Sequence, residues 1–253
     1  GCRVMRAENT VGPYYQIAIV PPNATPFIVY DDYNAEINAK SYYYKIIVID
    51  SCGNNVISSN VARTMLLTAD AGKDMKNIIT WNSYEGWPGD VYVYNVYRKI
   101  DDIIDPNPLV VVSALTNSYV DDVSGYGSSG GRFSYTIEAL EAQGNPYLFS
   151  DTSLSNEAIA IQPPRFYIPN AFFPSGINNI FYPLNVFVDG DGYAFEIYNR
   201  WGQMIFRTED THSGWDGTYE GSLLPQGVYL YVIRYNNNSG NPIENRGTVT
   251  LLR

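Results

Sequence analysis

Apolar and polar residues alternate with a period of two through much of this chain, in short runs bounded by Gly, Pro, Asn and Asp. The clearest runs lie at 78–81, 91–98, 109–115, 133–139 and 158–161. Alternation of this kind puts every second side chain on one face of a strand. Several short strands at such spacing predict an antiparallel β-sandwich.

The pattern occurs twice. TPFIVYDDY at 25–33 resembles TNSYVDDV at 116–123, KSYYYKIIVIDSCGN at 40–54 resembles GRFSYTIEALEAQGN at 131–145, and SSNVA at 58–62 resembles LSNEA at 154–158. The offsets are 90 from Asp31 to Asp121, 91 from Gly53 to Gly144 and 96 from Asn60 to Asn156. Carried backward, VYRKIDD at 96–102 falls on VMRAENT at 4–10 and sets Arg98 opposite Arg6. Residues 1–67 are therefore expected to form a module lacking its first strands, and 68–164 a complete one. Either the chain is cut there or the missing strands come from another segment. With Trp81 on an early strand, YNVYRK at 94–99 and FSYTIEAL at 133–140, the complete copy resembles fibronectin type III and related immunoglobulin-like domains.

Composition agrees with strands and turns. The 253 residues are 45% apolar and 17% charged, with 23 Tyr, 10 Phe, 4 Trp, 21 Gly and 15 Pro, which excludes disorder and favours β over helix. A net charge of −10 argues against nucleic acid or an anionic membrane as partner, since both require a basic footprint. The charge is uneven: 10 bases and 18 acids up to residue 164 give −8, while 6 arginines and 8 acids from residue 165 give −2. No apolar run reaches the ~18 residues of a membrane helix. The opening GCRVMRAENT has neither an initiator Met nor a signal region, so a piece of a longer protein is expected. Cys2 and Cys52 are a candidate disulfide for an oxidising compartment, Cys2 on the central strand of the first module and Cys52 at the loop end of a neighbouring strand; two buried thiols are the alternative.

From residue 165 four new blocks follow. They are FYIPNAFFPSGINNIFYP at 166–183, YAFEIYNRWGQMIFRT at 193–208, GWDGTYEGSLLPQGVYLYVIRY at 214–235 and RGTVTLLR at 246–253. Alternation over 227–235 predicts a central strand with two apolar faces. In the tight hairpin at 199–202, Asn199 and Gly202 suit positive φ angles. Asp216 suits an Asx turn with Trp215 beneath it. Trp201 and Trp215 serve either as core plugs under these turns or as contact residues for a partner.

In this order the four blocks resemble the gliding-motility-associated C-terminal domain, the type B sorting domain of the type IX secretion system of Bacteroidetes. The matching residues are Pro169, Asn170, Ala171, Phe172 and Pro174; Asn199, Arg200, Trp201 and Gly202; Trp215, Asp216 and Gly217; Pro225, Gly227, Tyr229 and Tyr231; and Gly247, Thr248, Val249, Leu251 and Arg253. The acidic segment common after the first block is replaced by SGINNIF at 175–181, which weakens any expectation of a bound cation there. The resemblance implies a β-sandwich over 165–253 that directs export to the outside or surface of the cell. It further implies the type IX translocon and a PorP/SprF-type outer-membrane protein as partners.

Other chemistry is sparse. DGDG at 189–192 lacks the alternating ligands and distal Glu of a calcium loop and reads as a turn. His212 is the single histidine, so no multi-His metal site is expected, and no nucleophile elbow accompanies it. SGYGSSGG at 124–131 reads as a flexible loop, and the pairs Asp101-Asp102 and Asp121-Asp122 as solvated turn residues. Within WNSYEGW at 81–87, Tyr84 and Trp87 are a possible glycan-binding face, since stacked aromatics grip sugar rings. No catalytic residue, metal or cofactor is expected; adhesion by the repeat modules, or service as the tail of a secreted enzyme, are the rival readings.

Overall fold

The computed structural model describes residues 1–22, 29–148, 150–237 and 240–253, so positions 25–28 of the first repeat fall outside the described residues. The chain is all-β and overwhelmingly antiparallel, with no α-helix among the described residues.

Residues 1–63 form one five-stranded sheet: β1 (Cys2–Ala7), β2 (Tyr15–Val20), β3 (Tyr43–Ile49), β4 (Asn55–Ser58) and β5 (Ala62–Arg63). Its order is β2-β1-β3-β4, with β5 also on β3. The second module is a two-sheet sandwich. β6 (Leu67–Ala71), β7 (Lys76–Trp81) and β11 (Ser118–Asp122) make a three-stranded sheet. β8 (Val91–Ile100), β9 (Ile103–Ile104), β10 (Val110–Ser113), β12 (Arg132–Glu141), β13 (Thr152–Leu154) and β14 (Ala158–Ile161) make the facing six-stranded sheet. Alternation places Asn77, Ile79 and Trp81 of β7, and Phe133, Tyr135, Ile137 and Ala139 of β12, in the core. Trp81 packs edge-on against Tyr94.

The duplication is visible in side-chain chemistry. Arg98 clamps both oxygens of Asp121 at 2.9 and 2.8 Å while the Tyr135 hydroxyl donates to it at 2.7 Å. In the first module Arg6 and Tyr44 hold Asp32 at 2.7 and 2.9 Å. The counterpart of Asp121 is therefore Asp32, not Asp31. Backbone N–H groups of Ile46 and Ile137 donate to Ser59 and Ser155, each at 2.9 Å, in the same manner.

Cys2 and Cys52 are free rather than bonded, one buried and one exposed. Cys2 lies inside the sheet opposite Val48. Cys52 sits in the turn beyond β3, where Asp50 accepts the Cys52 and Asn54 N–H groups at 2.8 Å each and the Cys52 side chain is exposed while Cys2 is buried. Asp121, expected in solvent, is buried because it points inward from β11 while Asp122 points out.

The tail builds on a five-stranded sheet. Its strands are β15 (Arg165–Tyr167), β16 (Ala171–Phe172), β17 (Leu184–Val186), β18 (Ala194–Tyr198), β19 (Met204–Thr208), β20 (Thr218–Tyr219), β21 (Ser222–Leu223), β22 (Gly227–Asn236) and β23 (Pro242–Leu251). The main sheet has the order β16-β23-β22-β18-β19, with β22 central and β16 parallel to β23. Two small pairs, β15–β17 and β20–β21, accompany it. Phe172, Phe181, Phe195, Ile197, Trp215, Tyr229, Ile233, Val249 and Leu251 are buried together under the main sheet.

The tail also reaches into its neighbour. Phe187 is fully buried within the core of the second module, and its N–H donates to the Gly127 carbonyl at 2.7 Å. The glycine-rich run at 124–131 is thus a receptor for Phe187 rather than a free loop. At Gly131 (φ +80°) a Cβ would lie 2.8 Å from the Phe187 Cβ, so a side chain is excluded there.

Candidate functional site

The signature blocks of the tail converge on one end of its sandwich. Phe172 is brought in by the parallel β16–β23 pairing, where Asn170 O accepts the Thr250 N–H at 2.9 Å, and Pro169 is exposed beside it. Phe172 stacks on Phe181 with ring centroids 5.7 Å apart and meets Trp215 at 5.3 Å. Trp215 is 1% exposed and donates its indole N–H to Thr218 O at 2.8 Å. Asp216 closes the expected Asx turn, accepting the Thr218 N–H at 2.9 Å. Gly217 has φ +83°, and a Cβ there would press on Pro174 and Leu251 at 3.0 and 3.1 Å. Tyr229 stacks edge-on against Trp215 at 4.9 Å and donates its hydroxyl to Pro225 O at 2.8 Å. Tyr231 crosses over Gly247, where a Cβ would overlap its ring. Arg253 donates twice to Leu224 O, at 3.1 and 2.6 Å, tying down the last strand.

The hairpin between β18 and β19 stands out from this packed end. Gly202 has φ +78°, as the turn requires. Asn199 does not share that backbone conformation. Its side-chain oxygen instead accepts the N–H groups of Trp201 and Gln203 at 3.0 and 3.1 Å, and its amide donates to Gln203 at 3.0 Å. A short polar side chain closing its own turn rigidifies the tip without help from the core. Gln203 then donates to Tyr219 at 3.2 Å, joining the tip to the β20–β21 hairpin.

The two tryptophans have opposite fates. Trp215 is the plug under a turn, whereas Trp201 is 78% exposed, with the Arg200 guanidinium 4.9 Å from its ring centroid. Arg200 and Arg253 both lie near enough to Tyr229 to oppose the upward push that burial gives its hydroxyl pKa. This end of the domain therefore presents the Trp201 ring with the Arg200 guanidinium against it. The sheet face beside it is apolar: Met204 pairs with Tyr198 and Tyr198 with Leu230, and Leu230, Met204 and Val228 are exposed. Leu230 is followed across the sheet by Thr248, and Gly227 starts the strand that carries the row.

Farther along that face sits a charge network that sequence patterning does not reveal. Glu196 is 2% exposed and is held by Arg207 at 2.8 Å, Arg234 at 2.6 Å and the Tyr198 hydroxyl at 2.7 Å. Arg234 continues to Glu244 at 2.7 Å. The alternation that puts Phe195 and Ile197 inside puts Glu196 on the opposite face, where Arg207, Arg234 and Tyr198 hold it.

Tyr84 and Trp87 are brought together, but their rings lie 4.0 Å apart, packed on each other and on the core of the second module. Burial pushes the Tyr84 hydroxyl up to about 12. Their facing surfaces are packed on each other, which leaves only the outer faces of the two half-buried rings open. DGDG at 189–192 is a turn closed by Asp189, which accepts the Asp191 N–H at 3.2 Å. Exposed His212 bonds its neighbour Thr211.

Residues 166–251 match the family model described as the CHU_C type IX secretion signal domain. The last third of the chain thus carries that signal domain, which implies export and an extracellular or surface location. No helix among the described residues is long and apolar enough to cross a membrane. No curated protein matches the chain. Among solved structures it is similar to chicken CNTN1 FN1-FN3 domains at 13% identity, over 84% of this chain and 78% of that one, with a TM-score of 0.29. It is also similar to a Ca2+-stabilized adhesin with which an Antarctic bacterium binds ice, at 13% identity and a TM-score of 0.22, over all of this chain but 65% of the adhesin. The fold class rests on the strand pairings described above.

Proposed function

We propose that residues 165–253 are an export address read in the folded state by the type IX machinery, and that the Asn199–Gly202 tip with its adjoining apolar face is where it is read. The match to the secretion signal family supports the role. The observation that carries the location is the exposure of Trp201, stacked with Arg200, on a turn whose own hydrogen bonds already hold it rigid. A large ring in solvent contributes little to folding, and Trp, Tyr and Arg are the side chains that dominate protein interfaces. Preorganisation lowers the ordering cost of binding. The partner is the type IX translocon together with a PorP/SprF-type outer-membrane protein, and the chemistry is recognition rather than turnover.

The test is export of a reporter that carries a signal peptide and is fused ahead of residues 1–253 in a type IX-competent bacterium. Ending the chain at residue 164 is expected to hold the reporter in the periplasm. Undiminished release of the truncated fusion would overturn the proposal.

A further inference from the structure

The main sheet of the C-terminal domain ends on an open strand. Its order runs β16-β23-β22-β18-β19, so β19 has a neighbour on one side only. The opposite edge strand, β16, is two residues long, whereas β19 has five. Alternate residues of an edge strand aim their N–H and C=O groups away from the sheet. Among the described residues no backbone group bonds to 204–208 from that open side. A charged side chain on an edge ordinarily wards off a new strand, but Arg207, the one charge on β19, is turned to Glu196 and Glu209 at 2.8 Å each.

Along that edge lies a groove of about 670 Å³, lined by Phe206 and Thr208 of β19 together with Ile180, Tyr182 and Leu184. The wall made by residues 180–184 is held in place before anything binds. Phe181 and Trp215 exchange backbone N–H···O bonds of 2.8 Å each, which keeps Phe181 in the core while Ile180 and Tyr182, on either side of it, are exposed. Gly214 lets this segment come close: a Cβ there would lie 2.6 Å from the Ile180 side chain and 2.7 Å from the Tyr182 Cβ. Asn185 donates to Thr211 O at 2.7 Å and ties the wall to the loop after β19. The wall is also electrically neutral, since residues 166–188 hold no Lys, Arg, Asp, Glu or His in a chain of net charge −10.

An open strand edge with an apolar groove beside it is the arrangement that takes up an added strand, main-chain bonds giving affinity and the groove receiving alternate side chains. We propose that the export partner adds an extended segment to β19 and sets uncharged apolar side chains against residues 180–184. This rests on the reading of the Asn199–Gly202 tip given above, because β19 starts two residues after Gly202 and the added strand runs on from the tip without a gap. Side chains on the inner face of that strand are apolar, to match Phe206, Ile180 and Tyr182. Those on its other face are polar, beside Arg207.

The test follows backbone amide exchange in the full chain, 1–253, with and without a detergent-purified PorP/SprF-type outer-membrane protein. Binding is expected to slow exchange within 204–208 by about tenfold or more. Ile180→Asp combined with Leu184→Asp, both at exposed positions, is expected to weaken binding by about tenfold or more with the thermal midpoint unchanged. Binding that leaves exchange at 204–208 as it is in the free chain would overturn the proposal while leaving the tip reading intact. Parental affinity in the folded Asp variant would overturn it as well. So would equal slowing by detergent alone, or a free chain that is dimeric and already protected at 204–208, since a lipid-like molecule or a second copy would then be the cover. No binding by the unsubstituted chain would overturn the partner assignment on which the proposal rests.

Discussion

Phe187 stands perpendicular to Phe133, ring centroids 5.9 Å apart, although one belongs to the C-terminal domain and the other to the central strand of the module before it. The contact is made at φ +57°, a backbone region unfavourable for a side chain of this size. Full burial of the ring more than offsets that strain. Phe187→Ala is expected to destabilise the second module by about 3–5 kcal/mol, the range for deleting a buried aromatic ring. Urea unfolding followed by near-ultraviolet circular dichroism measures it. Gly131→Ala is expected to act in the same direction, because its φ of +80° and the 2.8 Å approach leave no place for a methyl group.

The repeated Arg–Asp–Tyr triads differ in depth. Side chains of Arg98 and Asp121 are 10% and 4% exposed, against 23% and 10% for Arg6 and Asp32. Asp121→Asn strands a buried guanidinium and is expected to cost about 3–5 kcal/mol. Asp32→Asn, nearer to solvent, is expected to cost about 1–3 kcal/mol. Equal losses on denaturant unfolding would contradict this ranking.

Stability of the C-terminal domain should depend on Glu196. Burial raises its pKa, but hydrogen bonds from Tyr198 and Arg234 and the charges of Arg234 and Arg207 outweigh that and hold it below the ordinary carboxylate range. A folded-state pKa below the unfolded one adds stability that is present above the unfolded value, about 4.3, and is lost as pH falls through the folded value. Thermal midpoints should therefore hold steady from neutral pH to about pH 5 and drop below about 4.3. Glu196→Gln should lower the neutral-pH plateau by about 1–3 kcal/mol and shrink the acid-side decline.

Trp201 and Trp215 separate recognition from folding. Trp215→Ala is expected to cost about 3–5 kcal/mol by opening a cavity against Phe172 and Tyr229. Trp201→Ala is expected to change stability by about 0.5 kcal/mol or less, as exposed positions do. Chemical denaturation of the two variants in parallel decides whether the tip is a plug or a contact.

Strands were legible wherever alternation was unbroken. The run at 158–161 coincides with β14, and those at 78–81 and 91–98 fall within β7 and β8. The repeat was legible because each copy must rebuild the same serine and aspartate bonds. What alternation conceals is any contact joining separate sheets. Asp121 looked solvated because its partners Arg98 and Tyr135 arrive from strands of the facing sheet. Phe187 leaves no periodic trace, since it lies just past the end of β17 and outside any strand, and the glycines that receive it resemble those of a free loop. Both tryptophans occupy Gly-bounded turns, so local chemistry could not tell Trp201 from Trp215; only packing against Phe172 and Tyr229 distinguishes them. Asn199 lies in the turn its residue type favours, but it acts through its side chain and leaves the positive φ to Gly202.

The most direct measurement is the fraction of a reporter fused to residues 1–253 that reaches the medium or cell surface when Arg200 and Trp201 are both replaced by Ala. A periplasmic reporter, with the domain's circular dichroism and thermal midpoint unchanged, is the predicted result. Export at the parental level from that folded double variant would contradict the assignment of the tip as the place where the address is read.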